Sequence, residues 1–338
     1  MFVSFGFRFR VEVEALNMAE TVGNYARHRA APVLIQVRDE EGRPRGYRIT
    51  MAPAVSGQSV AFGYMSALVK LAEQRGLPIC EECRSYEHLG GFFKRADRVD
   101  VGYDERVKTC VVEDITGFMA TKERERGGRG KKGEVGEKEK EEGGKGAVIR
   151  RTSPVMFSYM VPDAASARGV LMPQLHVRYN LKNPDKQVPY QVEAGTAVYI
   201  HGVAIDVERI GRLEDGRHID AGDRLRRVEL ALDALKVLYG GLLFGAKKAR
   251  YLPVIEALGG IAAVSHPMPF VVSPPRLGDY VGENINRAKK FGAGSIKLFC
   301  FDKEGATGCG RQDGVEAADS LEDLVDKVKA AVVEMLKK

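Results

Sequence analysis

Five alternate positions near the start of the chain, Phe5, Phe7, Phe9, Val11 and Val13, are apolar, and Arg8, Arg10 and Glu12 stand between them. Period-two alternation of this kind predicts a half-buried β-strand with one polar face. From Asn17 to Pro32 the apolar periodicity fades, and Asn17, Thr21, Asn24, Arg27, His28 and Arg29 read as a polar loop. Val33 to Val37 and Tyr47 to Met51 flank a charged turn at Gly42 and predict a hairpin. After Ser56 the period changes to three and four. Val60, Tyr64, Leu68 and Leu71 line one helical face, which Ser56 can cap and Gly76 can end. Leu225, Val228, Leu232, Leu235 and Tyr239 predict a second helix from about Asp223 to Tyr239, before Gly240 and Gly241. A third opens at Ser320 with a box-like Asp323 and runs through Leu324, Val328 and Val332. Strand, helix, strands, helix, strands is an α+β order.

At 338 residues the chain exceeds the usual single domain, so two domains or one core with long insertions are expected. Between Thr121 and Ala147 almost every residue is Lys, Arg, Glu or Gly, too polar for a core and expected to be disordered. Its first half carries Lys122, Arg124, Arg126, Arg129, Lys131 and Lys132 and could touch phosphate, while the more acidic second half reads as a solvated insertion. A net charge of +6 permits a polyanionic partner, but 52 basic residues are largely cancelled by 46 acidic ones. No basic-apolar leader opens the chain and no apolar run approaches the ~20 residues of a membrane span, so a cytoplasmic location with no membrane partner is expected. Five cysteines are too few and too uneven for a disulfide framework. Cys80 and Cys83 form a CxxC with His88 nearby, but a zinc knuckle needs four ligands and there is no second CxxC. Loop thiols or a disulfide are the expected reading, with no metal.

Several stretches suit phosphate. GGLLFGAKKARYLP, from Gly240, gathers Lys247, Lys248 and Arg250 beside Tyr251, although an ordinary solvated loop looks the same. Arg27, His28 and Arg29 form a second basic cluster, and the helix start at Ser56 and Gly57 offers amide groups to an anion. In QLHVRYN, alternation puts Gln174, His176, Arg178 and Asn180 on one face and Leu175, Val177 and Tyr179 on the other. The glycine-rich stretches are not nucleotide loops. After Gly127 to Gly133 no Ser or Thr follows the lysines, and the Gly240 to Lys248 stretch follows a helix instead of opening one. No cofactor is expected. HExxH, GxSxG and paired Asp-rich metal motifs are all missing.

Taken in order, the first strand, RHRAAP, VSGQSVAFGYMSALV, RRTSPVMFSYMVP, QLHVRYN and GAKKARYLP resemble the DevR-type RAMP proteins, the backbone subunit of the archaeal type I-A CRISPR interference (Cascade) complex. The resemblance implies a palm similar to an RNA-recognition-motif (ferredoxin-like) fold, elaborated by inserted fingers and thumb. It implies residues 1–76 as the first half of the palm with an inserted hairpin, 77–173 as fingers and thumb, and 174–338 as the second half of the palm with the C-terminal helix. By position, Asn17, Asn24, Arg27, His28 and Arg29 would lie in the RNA groove, with Ser56, Gly57 and Gln58 at the helix start. His176 and Arg178 would form part of the same surface, and Lys247, Lys248 and Arg250 count as further RNA contacts from their own basic cluster. Gly117, Phe118 and Met119 on one side and Arg150 and Arg151 on the other would form the thumb's arms. The implied partners are CRISPR RNA, target nucleic acid paired to the guide, copies of the chain itself and other interference subunits. The charged tract between the arms is longer than the hairpin of that family. Such a role needs no catalysis, since protein holds the guide's backbone while pairing reads sequence.

Two other readings compete. A metal-independent endoribonuclease would use His28, then His176, as general acid-base on repeat RNA. An isolated binding module or regulator would act without partners.

Overall fold

The computed structural model describes residues 1–14, 18–22, 25–86, 100–121, 148–163, 170–183, 185–245 and 252–337. In chain order, β1 (Phe2–Glu14), β2 (Met18–Val22), β3 (Tyr25–His28), β4 (Ala30–Arg38) and β5 (Pro44–Pro53) lead into α1 (Gly57–Gln74). Three short helices follow, α2 (Glu81–Arg84), α3 (Tyr103–Thr109) and α4 (Val111–Thr116), and then a pair of arms, β6 (Phe118–Thr121) and β7 (Val148–Arg151). Next come β8 (Val155–Phe157), β9 (Val161–Pro162), β10 (Val170–Arg178), β11 (Val188–Asp206) and α5 (Ala221–Gly240). The chain closes with β12 (Val254–Pro267), α6 (Tyr280–Phe291), β13 (Gly294–Asp302), β14 (Glu316–Ala317) and α7 (Leu321–Leu336).

β1 sits inside the large sheet, whose order is β14-β13-β12-β1-β11-β3-β2, with β8, β9 and β10 also paired to β11. Its alternation explains that place. Phe5, Phe7 and Phe9 point to one face and are buried there, Phe7 and Phe9 meeting the Tyr239 ring of α5 at 5.3 and 5.1 Å. α1 packs on α5, with the Tyr64 hydroxyl donating to the Ala231 carbonyl at 2.7 Å. α7 packs on the other flank of α5. Along β12 and β13 successive residues alternate between two cores: Ala262, Val264, Phe299 and Phe301 join the helix-covered side, while Ile261, Ala263, Leu298 and Cys300 face α6 and Phe270.

That second layer corrects the expectation of an open polar face on β1. Ser4 and Arg8 are buried, because the chain around Phe270 to Pro275 crosses over them. The Ser4 hydroxyl donates to the Phe270 carbonyl at 2.8 Å, and the Arg8 guanidinium pairs with Asp163 and Glu304. Only farther along does this face open, where Arg10 pairs with Glu256 at 2.9 Å and both side chains are exposed. The expected polar loop from Asn17 to Pro32 is also corrected. β2 and β3 pair with each other, β3 touches β11 at two residue pairs, and β4 begins at Ala30. Backbone pairing at a sheet margin needs no apolar alternation, so the pattern carried no sign of it.

The β4–β5 hairpin and all three long helices appear where the periodicity puts them. Ser56 accepts the Ser59 amide at 3.2 Å and Ser320 the Asp323 amide at 3.2 Å, so both act as N-caps. α5 starts two residues earlier than expected, because Asp220 takes the cap and accepts the Gly222 and Asp223 amides. Among the described residues no helix is long and apolar enough to cross a membrane. The expected loop thiols are corrected too: Cys83 is fully buried, and the disulfide joins Cys300 to Cys309 instead of Cys80 to Cys83.

A buried carboxylate fastens the middle of the chain to the sheet. Asp114 on α4 pairs with Arg151 of β7 and with Arg227 of α5 at 3.1 Å, and it accepts the Gly211 amide at 2.9 Å. All three charged side chains are essentially without solvent contact. Removing one partner of a buried pair strands the others, typically at about 3–5 kcal/mol. Asp114→Ala is therefore expected to lower unfolding stability by about that much, read from urea denaturation. A loss below about 1 kcal/mol would show that the two arginines find water instead.

Candidate nucleic-acid interface

β11 is 19 residues long, which at about 3.3 Å per residue makes a rod of roughly 60 Å. Its C-terminal part pairs with β1 up to Glu14↔Ala194, and the remaining N-terminal part runs on past the end of β1 between β3 and β10. This extension joins two of the stretches that the sequence marked separately. The His28 amide donates to the Glu193 carboxylate of β11 at 2.6 Å. On the other edge His176 pairs with Tyr190, their rings stacked at 5.3 Å. Arg27 and Arg178 are exposed on these strands, as are Gln174 and Asn180 near them.

The third stretch is tied on through Arg29. Its carbonyl accepts from the Ala54 amide at 2.9 Å and lies 2.8 Å from His28 Nδ1, so the end of β3 is clamped to the chain entering α1. At the helix start Ser56 is occupied as the cap, and Gln58 is exposed. Gly57 is required by packing, since a Cβ there would collide with the Phe157 carbonyl. No acidic residue lies in the first turn of α1, so nothing opposes an anion there. A shallow cleft of about 260 Å³ opens beside it, lined by Gly57, Gln58, Thr116 and Ser153 among others.

His28 is only 4% exposed, and burial lowers its pKa. Its imidazole is therefore neutral near pH 7, and positive charge at this corner comes from Arg27 and Arg29. Of the arms, Met119 is half-buried and Arg150, directly across from it, is exposed. Arg151 corrects the expectation of an RNA contact. It is 4% exposed and its guanidinium is bound to Asp114, to the Arg209 and Arg212 carbonyls and to the Tyr103 hydroxyl. Asn17, Asn24, Lys247, Lys248, Arg250 and residues 122–147 lie outside the described residues. Leu243, just before this segment in sequence, lies beside α1, where its carbonyl fills the space over Gly63.

A family model described as "CRISPR-associated negative auto-regulator DevR/Csa2" matches residues 5–285. The chain belongs to the DevR/Csa2 family. A Saccharolobus solfataricus relative described as "CRISPR-associated protein Cas7/Csa2 1" is 33% identical over 301 residues, covering 82% of this chain and 83% of the relative. A second from that organism, "CRISPR-associated aCascade subunit Cas7/Csa2 2", is 28% identical over 355 aligned positions, covering 97% of this chain and 99% of the relative. Among solved structures, a chain of a "CRISPR RNA-guided surveillance complex" aligns with TM-score 0.50 at 12% identity, covering 98% of this chain and all of that one. A "pre-nicking" form of such a complex aligns at TM-score 0.51 and 12% identity, covering 98% and 99%. These structures establish likeness of fold: a mixed α/β chain built on one large sheet.

Some features of this DevR/Csa2 chain were not singled out by sequence. Glu193 holds the His28 amide although it lies 165 residues away. A second cleft, of about 570 Å³, runs along β8 and β9 and is lined by Met156, Tyr159, His201 and Arg276 among others. His201 is fully buried, its pKa pushed down to about 3 by burial, and its ring stacks on Phe157 at 6.2 Å. Exposed Met156 and Tyr159 do sit in the quoted RRTSPVMFSYMVP stretch, yet their nearness to the β12–α6 connection is visible only after folding.

The two neighbouring arginines of β7 should separate cleanly in a stability measurement. Arg150→Ala is expected to stay within about 0.5 kcal/mol of the parent, as surface changes usually do. Arg151→Ala should lose about 3 kcal/mol or more by exposing Asp114 to an incomplete partner set. Equal urea midpoints for the two variants would contradict the inward placement of Arg151.

Proposed function

We propose that this chain holds a CRISPR guide RNA by its sugar-phosphate backbone, one copy beside the next, as a non-catalytic subunit of an antiviral interference complex. The observation that carries the reading is the run of paired backbone from β10 across β11 to β3 and on to the start of α1. It unites His176 and Arg178, Arg27 to Arg29, and Ser56 to Gln58 through the Glu193 and Ala54 hydrogen bonds. Its cations stand on strands and beside a helix N-terminus, which suits phosphate and leaves base edges free to pair with a target. The relatives named as Cas7/Csa2, one of them as an aCascade subunit, support the same role, and the partners that this role implies are the guide, its target and other interference subunits.

A ferredoxin-like palm is supported by the run β1-α1-β8-β11-α5-β12, whose strands lie in the order β12-β1-β11-β8 with α1 and α5 against the side of Phe5 and Phe7. On this reading residues 1–76 and 174–338 supply the palm. Residues 77–173 supply fingers and thumb, with β8 and β9 returning to the sheet. Docking of further copies is supported by apolar side chains left in solvent on the projecting strands. Tyr47 and Ile49 of the β4–β5 hairpin are 72% and 68% exposed, and Leu175 of β10 is 67% exposed. Burial of His28, with Nδ1 engaged by the Arg29 carbonyl, favours a positioning role over the general acid-base of the nuclease reading.

Backbone recognition makes a quantitative claim about salt. If Arg27, Arg29, Arg150 and Arg178 each neutralise a phosphate, log affinity for single-stranded RNA should fall against log salt with a slope near −3, about −0.7 for each contact. Arg29→Ala with Arg178→Ala should make the slope shallower by about 1.4. Shuffling the RNA sequence should leave affinity within a few-fold. A slope near zero, or a strong preference among shuffled sequences, would overturn the reading, and so would repeat-RNA cleavage in EDTA that is lost in His28→Ala.

A further inference from the structure

Folding brings a third cysteine to the CxxC. The sulfurs of Cys80, Cys83 and Cys110 all lie within 4.8 Å of one another, and Cys83 and Cys110 are 3.5 Å apart. None of the three is in a disulfide. Cys80 caps the single turn of α2 and Cys83 lies within that turn, so both thiols issue from one corner. Cys110 caps α4 from the far side of the insertion, 27 residues beyond Cys83. Cys83 and Cys110 are fully buried, whereas Cys80 is partly open to solvent.

Buried cysteines often serve as small apolar residues, and these do border the main core. Packing alone does not account for the hydrogen bonds. The Glu113 amide donates to Cys110 Sγ at 3.5 Å, and the Cys110 thiol itself lies at hydrogen-bond distance from Cys83 Sγ. An N–H donated to the sulfur favours the thiolate form, which is the form that binds a metal. The spacing agrees: two sulfurs on a tetrahedral zinc, each at about 2.3 Å, stand about 3.8 Å apart.

We propose that Cys80, Cys83 and Cys110 form a thiolate site for a thiophilic divalent ion, zinc foremost, with the fourth position facing solvent on the Cys80 side. Each thiol gives its proton to solvent as the ion binds, and no electron is transferred. The ion closes the loop between α2 and α4 at its base, where the Val111 amide already donates to the Pro78 carbonyl at 2.9 Å. It thereby holds α4, and the Asp114 attached to it, against the end of α1. The site shares no residue with the proposed RNA surface and does not depend on that reading.

The test uses the full chain, reduced and stripped of metal under anaerobic conditions, and titrated with Co²⁺ alone. One equivalent should produce a sulfur-to-cobalt charge-transfer band in the near ultraviolet together with the strong visible bands of a tetrahedral ion, and Zn²⁺ should abolish both. Zn²⁺ should also raise the melting temperature. Cys80→Ser, the change least disturbing to the core, should lower the charge-transfer intensity by about a third, one thiolate of three. Cys83→Ser and Cys110→Ser should weaken Co²⁺ binding at least tenfold. A folded parent chain that gives no tetrahedral spectrum would overturn the proposal, as would a spectrum unchanged in Cys80→Ser. A Cys83–Cys110 disulfide mapped in protein purified with zinc present would do the same.

Discussion

The buried carboxylate of Asp114 is the constraint on which the rest of the architecture hangs. A short helix of two turns at most cannot hold its place by apolar area alone, and α4 has six residues. Its anchorage is both apolar and ionic: Val111, Val112 and Ile115 are fully buried in the main core, and one carboxylate receives guanidinium groups from β7 and α5 and an amide from the turn after β11. Arg106 and Glu113, both fully buried and 2.9 Å apart, add a second pair one residue away. The arms β6 and β7 leave directly from this knot, Gly117 taking a positive φ of 77° where the Arg151 carbonyl crowds any Cβ. The orientation of the arms is therefore set by charges that have no solvent to exchange with, which is a stiffer mounting than a surface loop provides.

The proposed RNA surface depends on a different device, the excess length of β11 over β1. Where β1 stops, β11 continues, and its edges are taken by β3 and β10. A polar strand, a basic corner and a helix N-terminus from distant parts of the chain thereby become neighbours. The charge there is carried by guanidinium groups, since burial keeps His28 neutral. An RNA groove lined this way responds to phosphate spacing and ionic strength and is indifferent to base identity.

Much of this was legible in the sequence, and the failures share a cause. Periodicity found β1, the β4–β5 hairpin and the helices at Ser56, Asp223 and Ser320, because each buries an apolar stripe against its immediate neighbours. It missed β2 and β3, which lie at a margin and are held by backbone bonds. It also took Arg8 as exposed. A buried arginine looks like a surface one until Asp163 and Glu304, 155 and 296 residues away, are folded onto it. Arg150 and Arg151 show the same limit at closest range: alternation says that they face opposite ways, and only Asp114 decides which faces in. The third thiol, Cys110, escaped for the reason that Glu193 did, since contact partners far apart in sequence leave no local pattern.

In the proposed assembly each copy covers a fixed stretch of RNA backbone and the next copy docks beside it. Native mass measurement of the purified chain on a series of single-stranded RNAs of increasing length tests this most directly. The number of bound copies should rise stepwise in proportion to length, with the same step for unrelated sequences. One copy bound at every length, or a step that appears with only one sequence, would contradict it.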